Sequence, residues 1–176
     1  RFDIVDFAAF DLFILNRPGA AQDFPHAIAQ AAEQRHVAMI DADRAALLAN
    51  IVKGLPGANQ ELSFQDFRNL LSDYDGIDTD QLKANLFAFL EEVVPVAERL
   101  GLRLCCHPDD PPFPLLGLPR VVSTEANYDD LVGAVDSPAN GITLCSGSLD
   151  VHPNNDLPAM WRRFGPIGGL LHLRNL

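Results

Sequence analysis

The sequence is short of positive charge and has no apolar run long enough to cross a membrane. It carries 13 lysines and arginines against 24 aspartates and glutamates, a formal net charge of −11. Binding to a phosphate backbone requires clustered basic residues, so this balance argues against a nucleic-acid partner. There is also no secretory signal pattern. The lack of a signal pattern and of a long apolar run argues against a secreted or membrane-spanning protein.

Cysteine is scarce, and its spacing matches neither a disulfide framework nor a zinc finger. There are three cysteines, an odd number, and two of them, Cys105 and Cys106, are adjacent. Adjacent cysteines suit neither a finger knuckle nor an easy mutual disulfide. We therefore predict a reducing, cytoplasmic location and a packing role for this pair.

The chain is nevertheless rich enough in apolar residues to form a core. Hydrophobic residues make up 48% of its 176 residues, which is enough for one domain. Three short apolar runs in the second half predict buried strands, at Leu102–Cys106, Ile142–Cys145 and Leu170–His172. Helix-like segments separate them, and strand–helix–strand steps of about 30 residues predict an α/β fold with a parallel sheet.

Each predicted strand ends at a residue type that binds metals well: His107, Cys145 and His172. Cys145 lies 38 residues after His107, and His172 lies 27 residues after Cys145, so each interval is about one βαβ step. Equivalent ends of neighbouring parallel strands meet at one edge, and these ligand types suit a transition metal. Each residue alone is more simply a hydrogen-bonded histidine or a buried thiol. Together they predict a metal site.

A proline-rich loop follows the first of these residues. The segment from His107 to Arg120 contains five prolines, which predicts an extended, stiff loop that serves a site. Its Asp109 and Asp110 have two open interpretations, as acid–base groups or as ordinary turn residues.

The remaining segments are predicted mainly as helices. The first segment, Ile4–Leu15, is an apolar stretch that we interpret as a strand and its loop. Residues of about 20–76 form a predicted helical insertion, in which Leu55-Pro-Gly57 ends a helix and Ser63 caps the next one. Further helices are predicted at about 79–100, 125–135 and 156–164.

Several segments resemble the mannonate dehydratase family. They are His107-Pro-Asp-Asp-Pro-Pro, Gly117–Thr124, Asn140–Ser148, and Phe164-Gly-Pro with His172-Leu-Arg174, and the similarity extends over essentially the whole chain. The resemblance implies a (β/α)8 TIM barrel that dehydrates D-mannonate to 2-keto-3-deoxy-D-gluconate in hexuronate breakdown. It also implies a divalent Mn²⁺ or Fe²⁺ held by the residues matching His107, Cys145 and His172.

The resemblance further implies groups that these 176 residues do not contain. The family supplies another metal-binding aspartate and catalytic groups after the strand that carries His172, so we assign no catalytic base here. A closed barrel typically needs about 250 residues, and residues 1–176 are expected to be a partial, central portion of one barrel domain. A Cys–His–His set alone suits Zn²⁺ or Fe²⁺, and use of Mn²⁺ depends on the additional carboxylate.

The predicted activity is that of a metal-dependent lyase acting on a sugar acid. A Lewis-acidic metal favours the loss of hydroxide next to a carboxylate, and Arg174 and Arg120 are the predicted groups that bind this carboxylate. Two alternatives stay open: a metal-dependent sugar isomerase on the same barrel type, and a non-catalytic barrel remnant with a structural metal. A homo-oligomer is also left open.

Overall fold

The computed structural model describes residues 3–53 and 63–174. The chain divides into two compact units, Arg1–Gly76 and Ile77–Leu176. The predicted turn at Leu55-Pro-Gly57 lies outside the described residues. The predicted helical insertion covers residues of about 20–76, whereas the first unit begins at Arg1 and ends at Gly76. The insertion itself stays a prediction. No described helix is long and apolar enough to cross a membrane.

The first unit contains helices and no strand in the part that is described. Its elements are α1 (Ile4–Ala9), a π-helical segment (Phe10–Leu15), a 3-10 turn (Ala20–Gln22), α2 (His26–Ala38), α3 (Asp41–Lys53) and α4 (Phe64–Ser72). The helices predicted within residues 20–52 and after Ser63 are confirmed. Ser63 and Asp66 form a capping box at the start of α4, in which each side chain accepts the backbone N–H of the other residue.

The prediction of a strand at Ile4–Leu15 is wrong. The Asp3 carboxylate accepts hydrogen bonds from two backbone N–H groups of the first turn, at 2.9 and 3.2 Å, and so caps a helix. Phe7 and Phe10 are three residues apart, a spacing that places them on one helix face, and both are buried. The Phe10 ring packs against Phe67 with centroids 6.0 Å apart. The acidic cap and the aromatic spacing therefore outweigh the apolar composition that suggested a strand.

The second unit alternates helices and strands, as predicted. Its elements are α5 (Thr79–Arg99), β1 (Leu104–Cys106), α6 (Glu125–Ala134), β2 (Asn140–Cys145), α7 (Ser146–Leu149), α8 (Leu157–Phe164), a 3-10 turn (Gly165–Ile167) and β3 (Gly168–His172). The helices and strands predicted in this half are confirmed to within a few residues. The side chains of Asp78, Thr124 and Asp156 cap α5, α6 and α8.

The three strands form one parallel sheet in the order β1-β2-β3. Cys106 at the end of β1 pairs with Ile142, and Cys145 at the end of β2 pairs with His172. A β-bulge interrupts the second ladder between Ile142 and Thr143. Because the strands are parallel, all three end at the same edge. The predicted α/β class with a parallel sheet is therefore confirmed.

The two faces of the sheet have different surroundings. Ile142 and Leu144 belong to the main core, which the helices of this unit complete. The core residues from these helices include Leu90, Val94, Leu131, Met160 and Phe164. Successive side chains of a strand alternate between faces, so Cys105, Thr143 and Cys145 project from the opposite face.

This opposite face is concave. β1 and β3 flank β2, and in a flat sheet they would lie about 9.6 Å apart, twice the usual strand spacing. A Cβ atom added to Gly169 in β3 would nevertheless lie only 2.2 Å from the Sγ of Cys105 in β1. The sheet must therefore curl toward this face, and the missing side chain of Gly169 makes room for Cys105.

A buried tyrosine joins α6 to the central strand. Tyr128 is fully buried, and its hydroxyl donates a hydrogen bond of 2.6 Å to the Thr143 carbonyl. Burial is the largest of the causes that raise the pKa of Tyr128, so the phenol stays protonated and remains a donor. Its ring meets Phe164 edge-on, with centroids 5.6 Å apart. Tyr128 thus holds β2 against the helical layer at Thr143, which lies two residues before Cys145.

Removal of the Tyr128 hydroxyl should destabilise the protein measurably. We expect Tyr128→Phe to lower the free energy of unfolding by about 1 kcal/mol, because a buried hydrogen bond is lost. Tyr74, the other tyrosine of the chain, is 45% exposed, and Tyr74→Phe should change this free energy by less than about 0.5 kcal/mol. Urea denaturation followed by circular dichroism measures both, and equal effects would contradict the role given to Tyr128.

Candidate metal centre

The three residues predicted to bind a metal lie together at the carboxyl edge of the sheet. One ligand atom from each of His107, Cys145 and His172 falls within 4.8 Å of the other two, and residues 3–53 and 63–174 contain no second group of this kind. His172 Nδ1 lies 3.2 Å from His107 Nε2 and 3.5 Å from Cys145 Sγ. Side chains from the ends of three strands therefore converge on one point.

The strand register produces this convergence. Cys145 and His172 are paired residues at the ends of β2 and β3, so their side chains project from the same face. His107 directly follows β1 and, by alternation, shares the concave face with Cys105. The two imidazole rings are tilted toward each other, with centroids 5.5 Å apart.

The spacing of the ligand atoms fits a single metal ion. Two ligands that bind one ion at tetrahedral angles, with bonds of about 2.0–2.3 Å, lie about 3.3–3.6 Å apart. The separations of 3.2 and 3.5 Å from His172 Nδ1 are close to these values, and all three ligand atoms lie within 4.8 Å of one another. Two imidazole nitrogens and a thiolate are also a donor set that divalent transition metals accept. The three residues thus fit the kind of cofactor that the sequence predicts.

A hydrogen bond orients His107 for metal binding. Its Nδ1 lies 2.7 Å from the carbonyl oxygen of Pro108. A carbonyl can only accept, so Nδ1 carries a proton, and in the neutral imidazole the lone pair is therefore on Nε2, the nitrogen that faces His172. Metal-binding histidines typically donate their second N–H to a carbonyl or carboxylate in this way.

Cys145 lies at the buried side of the cluster. It is fully buried, whereas both histidines are exposed. The Ser148 hydroxyl donates a hydrogen bond of 3.3 Å to its Sγ. The pKa of Arg174 is raised, first by its hydrogen bond to Asp110 and then by one to Cys145. The sulfur therefore has a hydroxyl donor and a cation as neighbours, surroundings that suit a metal-bound thiolate.

The two aspartates of the proline-rich loop are held by structural contacts. The Asp109 carboxylate accepts hydrogen bonds from the Val122 N–H at 2.8 Å and from the Ser123 hydroxyl at 2.9 Å, which closes the loop at its base. Asp110 forms an ion pair with Arg174. These contacts favour the turn interpretation of Asp109 over a role as acid or base.

The loop folds back on itself, which corrects the prediction of an extended conformation. Leu115 and Leu118 pair across a tight turn, closed by a hydrogen bond of 2.9 Å from the Leu118 N–H to the Leu115 carbonyl. Gly117 has a φ of +74° in this turn, a conformation that glycine adopts without strain. Proline restricts φ at its own position, and the stretch Leu115–Leu118 contains no proline, so the chain can reverse there.

The two arginines predicted to bind substrate have different surroundings. Arg120 donates to the Phe113 carbonyl at 3.4 Å and lies 3.8 Å from the Asp109 carboxylate, so it stabilises the loop. Arg174 donates to the Ser148 hydroxyl at 3.0 Å, and that hydroxyl donates to Cys145 Sγ at 3.3 Å. Of the two, Arg174 is the one that a hydrogen-bond chain through Ser148 joins to a residue of the cluster.

The Ser-Gly-Ser segment after Cys145 makes contacts that were not predicted. The Ser146 hydroxyl accepts from the Arg174 N–H and donates to the Arg174 carbonyl, each at 2.9 Å. A Cβ atom at Gly147 would lie 2.7 Å from Arg174 Nε, so the absence of a side chain leaves room for the arginine. Small polar residues after a strand are ordinary turn chemistry, and no local signal in the sequence marks their distant partner.

The other two cysteines have packing environments. Burial, with a smaller contribution from Asp109, raises the pKa of the Cys106 thiol to about 11. At physiological pH this thiol is therefore neutral and behaves as a small apolar residue. Cys106 packs against the main core, and Cys105 faces Gly169.

Fold and site together define an α/β protein whose parallel sheet carries, at its carboxyl edge, a Cys–His–His cluster suited to a divalent metal. Within the second unit, the elements that position this cluster are the ones that the sequence predicted. Residues 15–176 match the family of D-mannonate dehydratase (UxuA), and the chain belongs to this family.

Individual relatives support this assignment. The chain is 49% identical over its whole length to mannonate dehydratase of Rhizobium meliloti (strain 1021) and 48% identical to mannonate dehydratase 1 of Agrobacterium fabrum (strain C58 / ATCC 33970), and it covers 44% of each. The crystal structure of mannonate dehydratase from Streptococcus suis serotype2 matches 66% of this chain and 34% of its own, with a TM-score of 0.58 and 32% identity. The chain therefore spans less than half the length of these relatives.

Loss of Cys145 should weaken metal binding far more than loss of a neighbouring thiol. We expect Cys145→Ala to lower the affinity for Co²⁺ by at least about 100-fold, because even the loss of an outer-shell partner typically costs 10–100-fold. The matched control is Cys106→Ala, which should leave the affinity unchanged within error. Competition titration against a chromophoric chelator measures both variants. An unchanged affinity in Cys145→Ala would rule this residue out as a ligand.

Proposed function

We propose that the protein is a metal-dependent hydro-lyase that converts D-mannonate to 2-keto-3-deoxy-D-gluconate in hexuronate catabolism. The observation that carries the proposal is the convergence of His107, Cys145 and His172 at one edge of a parallel sheet. Membership of the D-mannonate dehydratase family supports it, as does the similarity to two mannonate dehydratases over the whole of this chain.

The proposed architecture is a (β/α)8 barrel to which this sheet contributes three strands. The parallel order of the strands and the curl of the sheet toward the face of Cys105 and Gly169 support it. The cluster also lies at the carboxyl ends of the strands, where TIM barrels carry their active sites. The helical insertion at about 20–76 and the cytoplasmic location are further parts of the proposal that rest on the sequence alone, and a homo-oligomer stays an open alternative.

The proposed cofactor is Mn²⁺ or Fe²⁺, with His107, Cys145 and His172 as ligands. When bound, such an ion supplies Lewis acidity that favours the departure of a hydroxyl group. The Cys–His–His set by itself suits Fe²⁺ or Zn²⁺, and an added carboxylate ligand would shift the preference toward Mn²⁺. The proton on His107 Nδ1 keeps the ring nitrogen Nε2 available as a donor atom to the ion.

The proposed task of Arg174 is to bind the substrate carboxylate. Its guanidinium offers five N–H donors in a planar fork that matches a carboxylate, and its side chain is 38% exposed. The hydrogen bonds to Asp110 and Ser148 come from Nη2, so these two contacts do not use the donors on Nε and Nη1. Arg120 is the second proposed carboxylate-binding group, although its contacts with Phe113 and Asp109 tie it to the loop.

The full-length protein should form a 2-keto-3-deoxy sugar acid from D-mannonate when Mn²⁺ or Fe²⁺ is added. We expect His172→Ala to lower kcat/KM by at least about 100-fold, because several kcal/mol of barrier lowering depend on the metal and each 1.4 kcal/mol is worth about tenfold. Cys106→Ala is the control and should retain activity. Mass spectrometry measures the product as an acid lighter than the substrate by one water.

Other products would support the alternatives. A sugar product of unchanged mass would favour an isomerase. A parent protein that binds the metal but forms no product, together with a Cys145→Ala variant that loses metal and fold at once, would favour a structural metal. Either result would overturn the proposed dehydratase activity.

Replacement of the two arginines by lysine should separate their roles. Lysine keeps the positive charge but loses the planar fork. We expect Arg174→Lys to raise KM for D-mannonate about tenfold or more, as the loss of a bidentate charge-assisted contact does. Arg120→Lys should have a smaller effect, since Arg120 is held by Phe113 and Asp109. Steady-state kinetics measure both, and the opposite order would move the carboxylate site toward Arg120.

A further inference from the structure

Ser148 places a buried hydroxyl against the proposed metal ligand Cys145. It lies in α7, three residues after the cysteine, and is 0% exposed. Its Oγ accepts a hydrogen bond of 3.0 Å from Arg174 Nη2 and donates one of 3.3 Å to Cys145 Sγ. A guanidinium can only donate, so the hydroxyl proton is left for the sulfur and the direction of both hydrogen bonds is determined.

The arginine that orients this hydroxyl is itself held at several points. Its guanidinium forms an ion pair with Asp110, in the loop after β1. Its backbone exchanges two hydrogen bonds of 2.9 Å with the Ser146 hydroxyl, and its side chain passes close over Gly147. The Ser148 hydroxyl is therefore positioned by segments that follow all three strands.

This arrangement constrains the sulfur. A metal-bound thiolate has more than one lone pair, and a hydrogen bond to one of them determines where the others point. His172 Nδ1 lies 3.5 Å from the same Sγ, on the side where the ligand atoms converge. Outer-shell hydrogen bonds of this kind orient metal ligands and adjust their donor strength.

We propose that Ser148 is a positioning residue, whose hydroxyl holds the Cys145 thiolate in the orientation that binds the metal. Ser148 is not itself a ligand and acts through Cys145. The inference rests on the metal site of the proposed function and adds to that site a residue whose effect can be measured without turnover.

The test uses Ser148→Ala in the full-length protein, with Co²⁺ as the probe because its thiolate-to-cobalt charge-transfer absorption reports on the sulfur. We expect the variant to bind Co²⁺ about 10–100-fold more weakly. Its charge-transfer band should move to lower energy, because a sulfur without this hydrogen bond holds its electrons less tightly. Ser148→Thr keeps a hydroxyl and should restore the band of the parent.

Ser123→Ala is the matched control. Ser123 is also a buried serine, and its hydroxyl donates to the Asp109 carboxylate at 2.9 Å instead of to the sulfur. Its loss should leave the band in place. Equal shifts in the two alanine variants, or an unchanged band and affinity in Ser148→Ala, would overturn the inference. A parent protein with no thiolate-to-cobalt band would instead overturn the proposed metal site, and the inference with it.

A second measurement covers the case in which Ser148→Ala does not fold, as judged by thermal unfolding of the metal-free protein. In the parent loaded with Cd²⁺, the Ser148 hydroxyl proton should be visible by NMR, because a buried hydrogen-bonded proton is protected from exchange with water. Coupling of this proton to ¹¹³Cd through the sulfur would support the hydrogen bond directly. A hydroxyl proton that exchanges freely with water would overturn the inference.

Discussion

The site depends on the register between β2 and β3. A β-bulge skips Gly169 when the two strands pair. An uninterrupted ladder would place Leu171 opposite Cys145, whereas the bulge places His172 there. Side chains alternate along a strand, so a shift of one residue sends every following side chain to the other face. The bulge is thus the feature that brings an imidazole to the face of the thiol.

The same glycine allows the sheet to curl. Gly169 has no side chain where the Sγ of Cys105 approaches. The strands β1 and β3, on either side of β2, can therefore bend toward each other on the concave face of the sheet. Bulges also increase the local twist of a strand. This closure explains how His107 and His172, on strands that are not neighbours, come within 3.2 Å of each other. One residue therefore sets both the register and the distance on which the cluster depends.

The ligands could be predicted from local patterns because each one ends an apolar run, but their geometry could not. The register depends on whether Gly169 is paired or skipped. Two adjacent leucines, Leu170 and Leu171, stand in β3, so hydrophobic alternation does not decide between the two. At Ile4–Leu15 the apolar composition suggested a strand, but the Asp3 side chain caps a helix there. The contact between Ser148 and Arg174 joins residues 26 positions apart. Contacts of that kind follow from the fold and leave no mark in the neighbouring sequence.

The burial of the three ligands bears on whether the site is catalytic or structural. Structural zinc sites are typically closed by four protein ligands, whereas catalytic sites keep a position open for water or substrate. Within residues 3–53 and 63–174 the cluster has three ligands, with Cys145 buried and both histidines exposed. An ion held by these atoms would have its sulfur on the inner side and its free positions on the outer side. The partly exposed Arg174 donates to the Ser148 hydroxyl, which in turn donates to Cys145 Sγ, so a cation lies next to the cluster. The metal-binding aspartate that the family resemblance implies after His172 would take one of these free positions, and a catalytic centre would keep a further position for water or substrate.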